Sequence, residues 1–361
     1  MGPLAGLKVL EFAGLGPAPF ACMVLADLGA DVLRIDRAGA EGLLGLERDV
    51  LDRGRRSLVL DLKSEEGRAT ARRLAGAADV LIEGFRPGVM ERLGLGPEDL
   101  KPLNRGLVYG RMTGWGQTGP LADTAGHDLG YIAITGALHA IGGVETPIPP
   151  LNLVGDFGGG SMFLIAGILA ALWERQRSGE GQVIDAAISD GAGLLMAMMY
   201  SMRGEGKWAD ARACNLLDGG AAVYRTYVCG DGRHVAVAPL ERKFFVEFAG
   251  RLGLDAAEWP NHLDAAVWPA LHARLAGIFL TRPRDAWIAL FEGSDACVVP
   301  VLSLDEAPRH PHAVARGAFV EIDGIVQPAP APRFSRSVPP RPKARPLPGE
   351  GGAEALADWL D

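Results

Sequence analysis

The feature that binds this chain most tightly to one kind of fold is a rhythm near its start. Between Lys8 and Gly110, apolar runs of strand length alternate with segments of helical spacing. Lys8-Val9-Leu10-Glu11-Phe12 reads as a strand, Phe20 to Leu28 as a helix closed by Gly29, and Asp31-Val32-Leu33-Arg34-Ile35-Asp36 as a returning strand. Ser57 to Asp61, a helix from Glu65 to Ala75, Asp79 to Glu83, and Leu107 to Gly110 continue the series. Strand, helix, strand in that order crosses over between parallel strands, so the expected class is α/β with a doubly wound parallel sheet. Ligands of such sheets sit at the carboxyl ends of the strands.

At 361 residues the chain exceeds one ordinary core, and two domains are expected. Met162 to Trp173 reads as a buried helix of 12 residues, too short for a membrane span, and Gln182 to Ala186 as a strand. Ala192 to Met202 reads as a further packed helix, whose methionines 196, 198, 199 and 202 fit a core or an adaptable apolar wall. A hairpin is expected from Val223 to Val237 across Gly230-Asp231-Gly232, and eight prolines between Gln327 and Pro348 favour an extended tether, followed by a short helix from Glu354 to Leu360. The net charge of -8 argues against a nucleic-acid partner. Cys22, Cys214, Cys229 and Cys297 are too scattered for a zinc or redox pair, and the start MGPLAGLKVLEF lacks the features of a signal peptide. The expectation is a soluble cytoplasmic protein with no membrane partner.

One stretch collects the parts of a proton-transfer site. Gly126-His127-Asp128 is followed by Leu151-Asn152-Leu153-Val154-Gly155-Asp156-Phe157 and then Gly158-Gly159-Gly160-Ser161. Histidine is the side chain whose ordinary titration lies nearest neutrality, which suits it to take or give a proton. Aspartate is a weak base, but apolar neighbours such as Val154 and Phe157 disfavour its charged form and strengthen it. Backbone N–H groups of the glycine run would then face a developing oxyanion. Plainer roles fit the same residues: a satisfied structural histidine, and an aspartate capping a helix. Gly14-Leu15-Gly16 with Asp36 imitates a dinucleotide fingerprint, yet Pro19 replaces its third glycine and Pro17 removes a donor, which argues against NAD. Arg37, Lys63 and Arg86 fall at strand ends, with Arg92 beyond. Guanidinium groups there match a ligand with several phosphates and an adenine, or simply balance surface acids.

Further stretches carry a resemblance. Gly2-Pro3-Leu4-Ala5-Gly6-Leu7-Lys8-Val9-Leu10, Ala26 to Asp36, Leu60-Asp61-Leu62-Lys63 and Glu83-Gly84-Phe85-Arg86-Pro87-Gly88-Val89 resemble the signature segments of the family III CoA-transferases and the α-methylacyl-CoA racemases that share their fold. Gly126-His127-Asp128 with Gly155-Asp156-Phe157 resembles the racemase branch. The resemblance implies a large Rossmann-like CoA-binding domain over 1–203, a linker over 204–221, a smaller α+β domain over 222–318, and a Pro-rich return segment over 319–361. It also implies an interlocked homodimer, with the active site where the large domain of one chain meets the small domain of the other. His127 and Asp156 would be the catalytic acid/base groups, and Glu241, in Pro239-Leu240-Glu241-Arg242, would orient His127. Arg37, Leu60, Asp61, Leu62, Lys63, Gly84, Phe85, Arg86, Arg92, Gly126, His127, Asp128, Leu129, Gly130 and Tyr131 would line the CoA site.

The reaction so implied is racemisation at C2 of a 2-methylacyl-CoA thioester. The proton α to a thioester is weakly acidic, so its removal needs a base on one face, and inversion needs an acid on the other. CoA is part of the substrate and no cofactor is expected. His310-Pro311-His312 is a close histidine pair without a third metal ligand. The alternative is a family III CoA-transferase in which Asp156 attacks the thioester as a nucleophile. His127 leans toward the racemase, as does Ala238 to Arg242, which lacks the glycine-rich loop of the transferases. An acyl-CoA carrier that performs no chemistry is a third reading, disfavoured by the intact His127, Asp156 and Glu241 set.

Overall fold

Successive residues of the first strands face opposite ways, and both ways lead into a core. The computed structural model describes residues 1–39 and 45–360. Strands β1 (Lys8–Phe12), β2 (Asp31–Asp36), β3 (Arg56–Val59), β4 (Val80–Glu83), β5 (Val108–Thr113) and β6 (Val183–Ala187) form one sheet of order β3-β2-β1-β4-β5-β6. Every neighbouring pair is parallel. The helices, in chain order, are α1 (Pro17–Asp27), α2 (Glu65–Ala77), α3 (Val89–Arg92), α4 (Pro97–Leu100), α5 (Asp128–Ala133), α6 (Ala137–Ala140), α7 (Met162–Ser178), α8 (Ile188–Leu195) and α9 (Ala197–Gly204). Val9, Val32, Val80 and Ile82 pack on one face of the sheet with Leu25 of α1 and Leu164 and Ile168 of α7. Leu10, Leu33 and Leu81 pack on the other with Leu74 of α2. A parallel sheet covered on both faces explains why its strands read as nearly continuous apolar runs.

A π-helix, Leu153–Ser161, runs directly into α7. Together they make an apolar helix of 26 residues, long enough by length and composition to cross a membrane and longer than the 12-residue run read from the sequence. Leu164, Ile165, Ile168 and Ala171 nevertheless pack against Val108, Met112 and Ala186 of the sheet, which is the setting of a core helix.

The described residues pack as two compact units. The first comprises Met1–Thr135, Leu151–Leu195 and Pro311–Asp361, and the second Gly136–Pro150 and Met196–His310. These bounds differ from the expected divisions at 203, 221 and 318. Residues 204–221 are not a loose linker, because the buried Asn215 amide bonds to Ala209 and Ala211 O and to Asp218, while Ala221 enters the core of the second unit. That unit holds the antiparallel sheet β7 (Arg225–Val228), β8 (His234–Val237) and β9 (Val298–Pro300), with α10 (Arg242–Arg251), α11 (Trp268–Phe279) and α12 (Arg284–Phe291). Its core is aromatic: Tyr227 stacks on Phe279 at 5.1 Å and Phe248 on Phe291 at 5.8 Å.

The chain then rejoins the first unit through α13 (Pro311–Arg316) and the hairpin of β10 (Phe319–Ile322) and β11 (Ile325–Pro328). Buried Arg53 holds this return in place. It donates to Asp27 Oδ2 at 2.5 Å and to Gln327 Oε1 and Pro328 O, both at 2.8 Å. Helix α14 (Gly352–Leu360) closes the chain against α2 and β3, with Trp359 donating to Asp31 at 2.7 Å.

Candidate active site

The order of the large sheet reverses between β1 and β4, so the loops leaving these two strands diverge and open a crevice at their carboxyl ends. The β1 loop ends at Gly16, whose φ of 67° suits glycine, and Pro17 starts α1 where no N–H is needed. A side chain at Gly16 would stand 3.2 Å from Asp156 Oδ2, so the start of α1 abuts this carboxyl group.

Asp156 sits in the π-helix, a form that often marks functional positions. Phe157 beside it stacks on Phe20 of α1 at 4.3 Å, and the Ser161 hydroxyl donates to Pro17 O at 2.7 Å, with Asp156 O 3.0 Å from the same oxygen. Burial, and after it the nearby Asp128 charge, push the half-buried Asp156 carboxyl from its ordinary 3.8 up to about 6. A hydrogen bond from Asn152 and the charge of His127 pull the other way. The apolar setting expected from Val154 and Phe157 therefore comes with a second carboxylate that sequence reasoning placed only among ligand-lining residues.

The glycine run does something other than expected. In a π-helix each N–H reaches the carbonyl five residues back, as Phe157 N does to Asn152 O at 3.2 Å, so the N–H groups of Gly158-Gly159-Gly160 are engaged inside the helix rather than free for an oxyanion. The bare Cα atoms serve packing. A Cβ on Gly159 would lie 2.6 Å from Ala192 N, and one on Gly160 would lie 2.9 Å from the Ile188 side chain, both in α8.

His127 is the residue before α5, with extended backbone and an exposed ring, and its carbonyl accepts from Gly130 N at 2.8 Å and Tyr131 N at 3.3 Å. Asp128 opens the helix and turns its carboxylate back to accept from Asp156 N at 2.7 Å. Gly155 makes this possible, since a Cβ there would overlap Asp128 Oδ1. Tyr131 donates to Gly126 O and meets Trp115 edge-on at 4.8 Å. Burial first, then Asp156, push the Tyr131 hydroxyl up, with Arg86 opposing. His127, Asp128, Tyr131, Arg86 and Asp156 thus share one electrostatic neighbourhood at the switch point.

The remaining residues of the expected ligand site divide. Arg37 after β2, Lys63 after β3, Gly84 and Arg86 after β4, Arg92 of α3 and Leu129 of α5 are exposed. Leu60, Leu62 and Phe85 pack against the core, and Asp61 Oδ1 accepts from Lys63 N at 2.9 Å in the turn that leads into α2. Gly130 is half-buried in α5. Glu241 belongs to the second unit, exposed at the start of α10. Its neighbour Leu240 is anchored through its carbonyl, 2.9 Å from Nε2 of buried His262, whose ring stacks on Phe245 at 4.2 Å. Leu240 to Arg242 and Pro260 to Leu263 line an open recess of 590 Å³. The methionines do not form a core: α9 buries no residue, Met198 is 51% exposed, and Met196 and Met199 line a recess of 380 Å³ with Trp208 and Tyr200. Gly16, Trp115 and Asn152, which stand beside Asp156 or Tyr131, were given no role at the site by sequence reasoning.

A family model described as CoA-transferase family III matches residues 4–352. The chain is 44% identical over 360 residues to the alpha-methylacyl-CoA racemase of Mus musculus and 42% identical over 359 residues to that of Homo sapiens. Each match covers 99% of this chain and 93% of the relative. Among solved structures, a CAIB/BAIF family protein from Brucella suis is similar with a TM-score of 0.84 and 28% identity over 100% of both chains.

Proposed function

Because the chain belongs to CoA-transferase family III, we propose that it racemises 2-methylacyl-CoA thioesters at C2, with His127 and Asp156 as the two acid/base groups. The observation that carries the reading is Asp156: a carboxyl raised to about 6, at the switch point of the sheet and within the field of His127. A base of that strength is ionised at neutral pH and can still return a proton, which a carboxyl near 4 does poorly. In one direction Asp156 removes the C2 proton and His127 delivers one to the opposite face of the enolate. In the other the roles exchange.

On this reading the exposed cations Arg37, Lys63, Arg86 and Arg92 receive the CoA phosphates, and the Gly126 to Tyr131 turn lies along the thioester arm. Glu241 of a second copy orients His127. Support for that copy is the apolar surface on the first unit, where Leu151, Leu153, Met162, Trp173 and Leu194 are each at least half exposed.

The test is a single stereoisomer of a 2-methylacyl-CoA in deuterated water. Deuterium entering C2 together with inversion is expected. Absence of reaction until a free carboxylate is added would instead assign Asp156 the nucleophilic role of a transferase.

A further inference from the structure

We propose that Asp128 is a positioning residue for Asp156: its carboxylate holds the Asp156 main chain through the amide N–H and places a fixed negative charge beside the carboxyl that carries the proton. The inference rests on the reading of Asp156 as a proton carrier and adds to it a residue so far placed only along the ligand. Three observations lead to it. Asp128 Oδ1 accepts from Asp156 N at 2.7 Å, a charge-assisted bond across 28 positions of sequence. The space that the Asp128 carboxylate enters exists because residue 155 is glycine, and any Cβ there would close it. The bond also joins the two elements that bear the proposed bases, since Asp128 directly follows His127 and opens α5, while Asp156 lies in the π-helix. One contact therefore ties together the two elements that carry imidazole and carboxyl.

The charge of Asp128 acts in the same sense as burial and strengthens Asp156 as a base. The groups opposing it around Asp156 are His127, before α5, and the Asn152 amide next to its own helix. From α5 Tyr131 also faces the carboxyl, with Arg86 of the β4 loop beside it. α1 and α8 meet the π-helix through Gly16, Pro17 and Phe20 and through Ile188, Gly191 and Ala192. Asp128 is the negative group among those acting on Asp156, so its neutralisation has one expected direction.

The experiment follows the carboxyl itself. The full chain is labelled with carboxyl-13C aspartate, the Asp156 signal is assigned by its loss in Asp156→Asn, and its chemical shift is titrated. In Asp128→Asn, an isosteric change that keeps an oxygen for the amide N–H, the Asp156 titration is expected to move down by about one unit. In Asp128→Ala, kcat for C2 exchange of a 2-methylacyl-CoA is expected to fall by about tenfold or more, as misplacement of the proton carrier predicts. An Asp156 titration unmoved in Asp128→Asn, or Asp128→Ala turning over at the wild-type kcat, overturns the proposal. If the unaltered protein exchanges no C2 proton yet its Asp156 titration still moves with Asp128→Asn, the proton-carrier reading falls and the positioning role stands.

Discussion

A carboxyl held up at about 6 by burial is one the fold prefers to keep protonated. The folded chain then binds that proton more tightly than the unfolded chain does. The stability contribution of Asp156 is therefore fully present below its ordinary 3.8 and is lost as pH rises through about 6. Asp156→Asn removes the titration, so the variant is expected to melt above the unaltered protein by about 2–4 °C at pH 8, with the gap shrinking toward pH 4.5. Thermal melts at the two values check this, and an equal gap at both contradicts it. The chemistry proposed for His127 and Asp156 was legible because each residue type announces it. Asp128 was not, because its effect depends on a chain reversal that brings residue 128 onto the amide of residue 156.

At the scale of elements, what could be read depended on how locally each one is determined. Strands β1 and β2 were legible to their ends, since strands buried on both faces are mostly apolar between turn residues, even with the buried charges Glu11 and Arg34 inside them. Expected helix 192–202 proved to be α8 and α9 broken at Met196, where neither glycine nor proline marks the break. The three residues of β9 pair with β8 across about 60 positions, beyond the reach of any local pattern. The π-helix was hidden for a related reason. Its close approach to α8 is made by bare glycines on both sides, with Gly191 against Gly159 O and Phe163, and those glycines read equally well as a flexible loop. Gly159→Ala is expected to destabilise the chain by about 1–3 kcal/mol, because the added methyl meets α8 backbone rather than a movable side chain. Urea unfolding measures it, and an unchanged midpoint would show that the two helices can separate without cost.

For the whole molecule, the return of the chain to its first unit is as consequential as the sheet. The prolines of 327–348 suggested a tether, and much of that stretch lacks regular secondary structure, while the short helix expected from Glu354 to Leu360 follows it as α14, with Trp359 buried against α2 and β3. Proline content describes the middle of this segment and says nothing of the anchors at its two ends. Arg53 is the inner anchor, joining Asp27, Gln327 and Pro328 O in a place without water access. Arg53→Ala leaves the Asp27 carboxylate buried and unpaired, and is expected to cost about 3–5 kcal/mol and to expose the C-terminal segment to protease. Limited proteolysis with urea titration reads both, and wild-type values in both would remove Arg53 from this role.

The proposed racemisation depends most on two separate proton carriers serving opposite faces of one carbon. Its direct measurement is C2 hydrogen exchange in deuterated water by His127→Ala and Asp156→Asn, each given the two resolved stereoisomers of one 2-methylacyl-CoA. Each variant is expected to lose inversion by at least about 100-fold. Each is expected to go on exchanging the one stereoisomer that faces its remaining base, His127→Ala one and Asp156→Asn the other. Exchange of the same stereoisomer by both variants, or inversion undiminished in either, contradicts it.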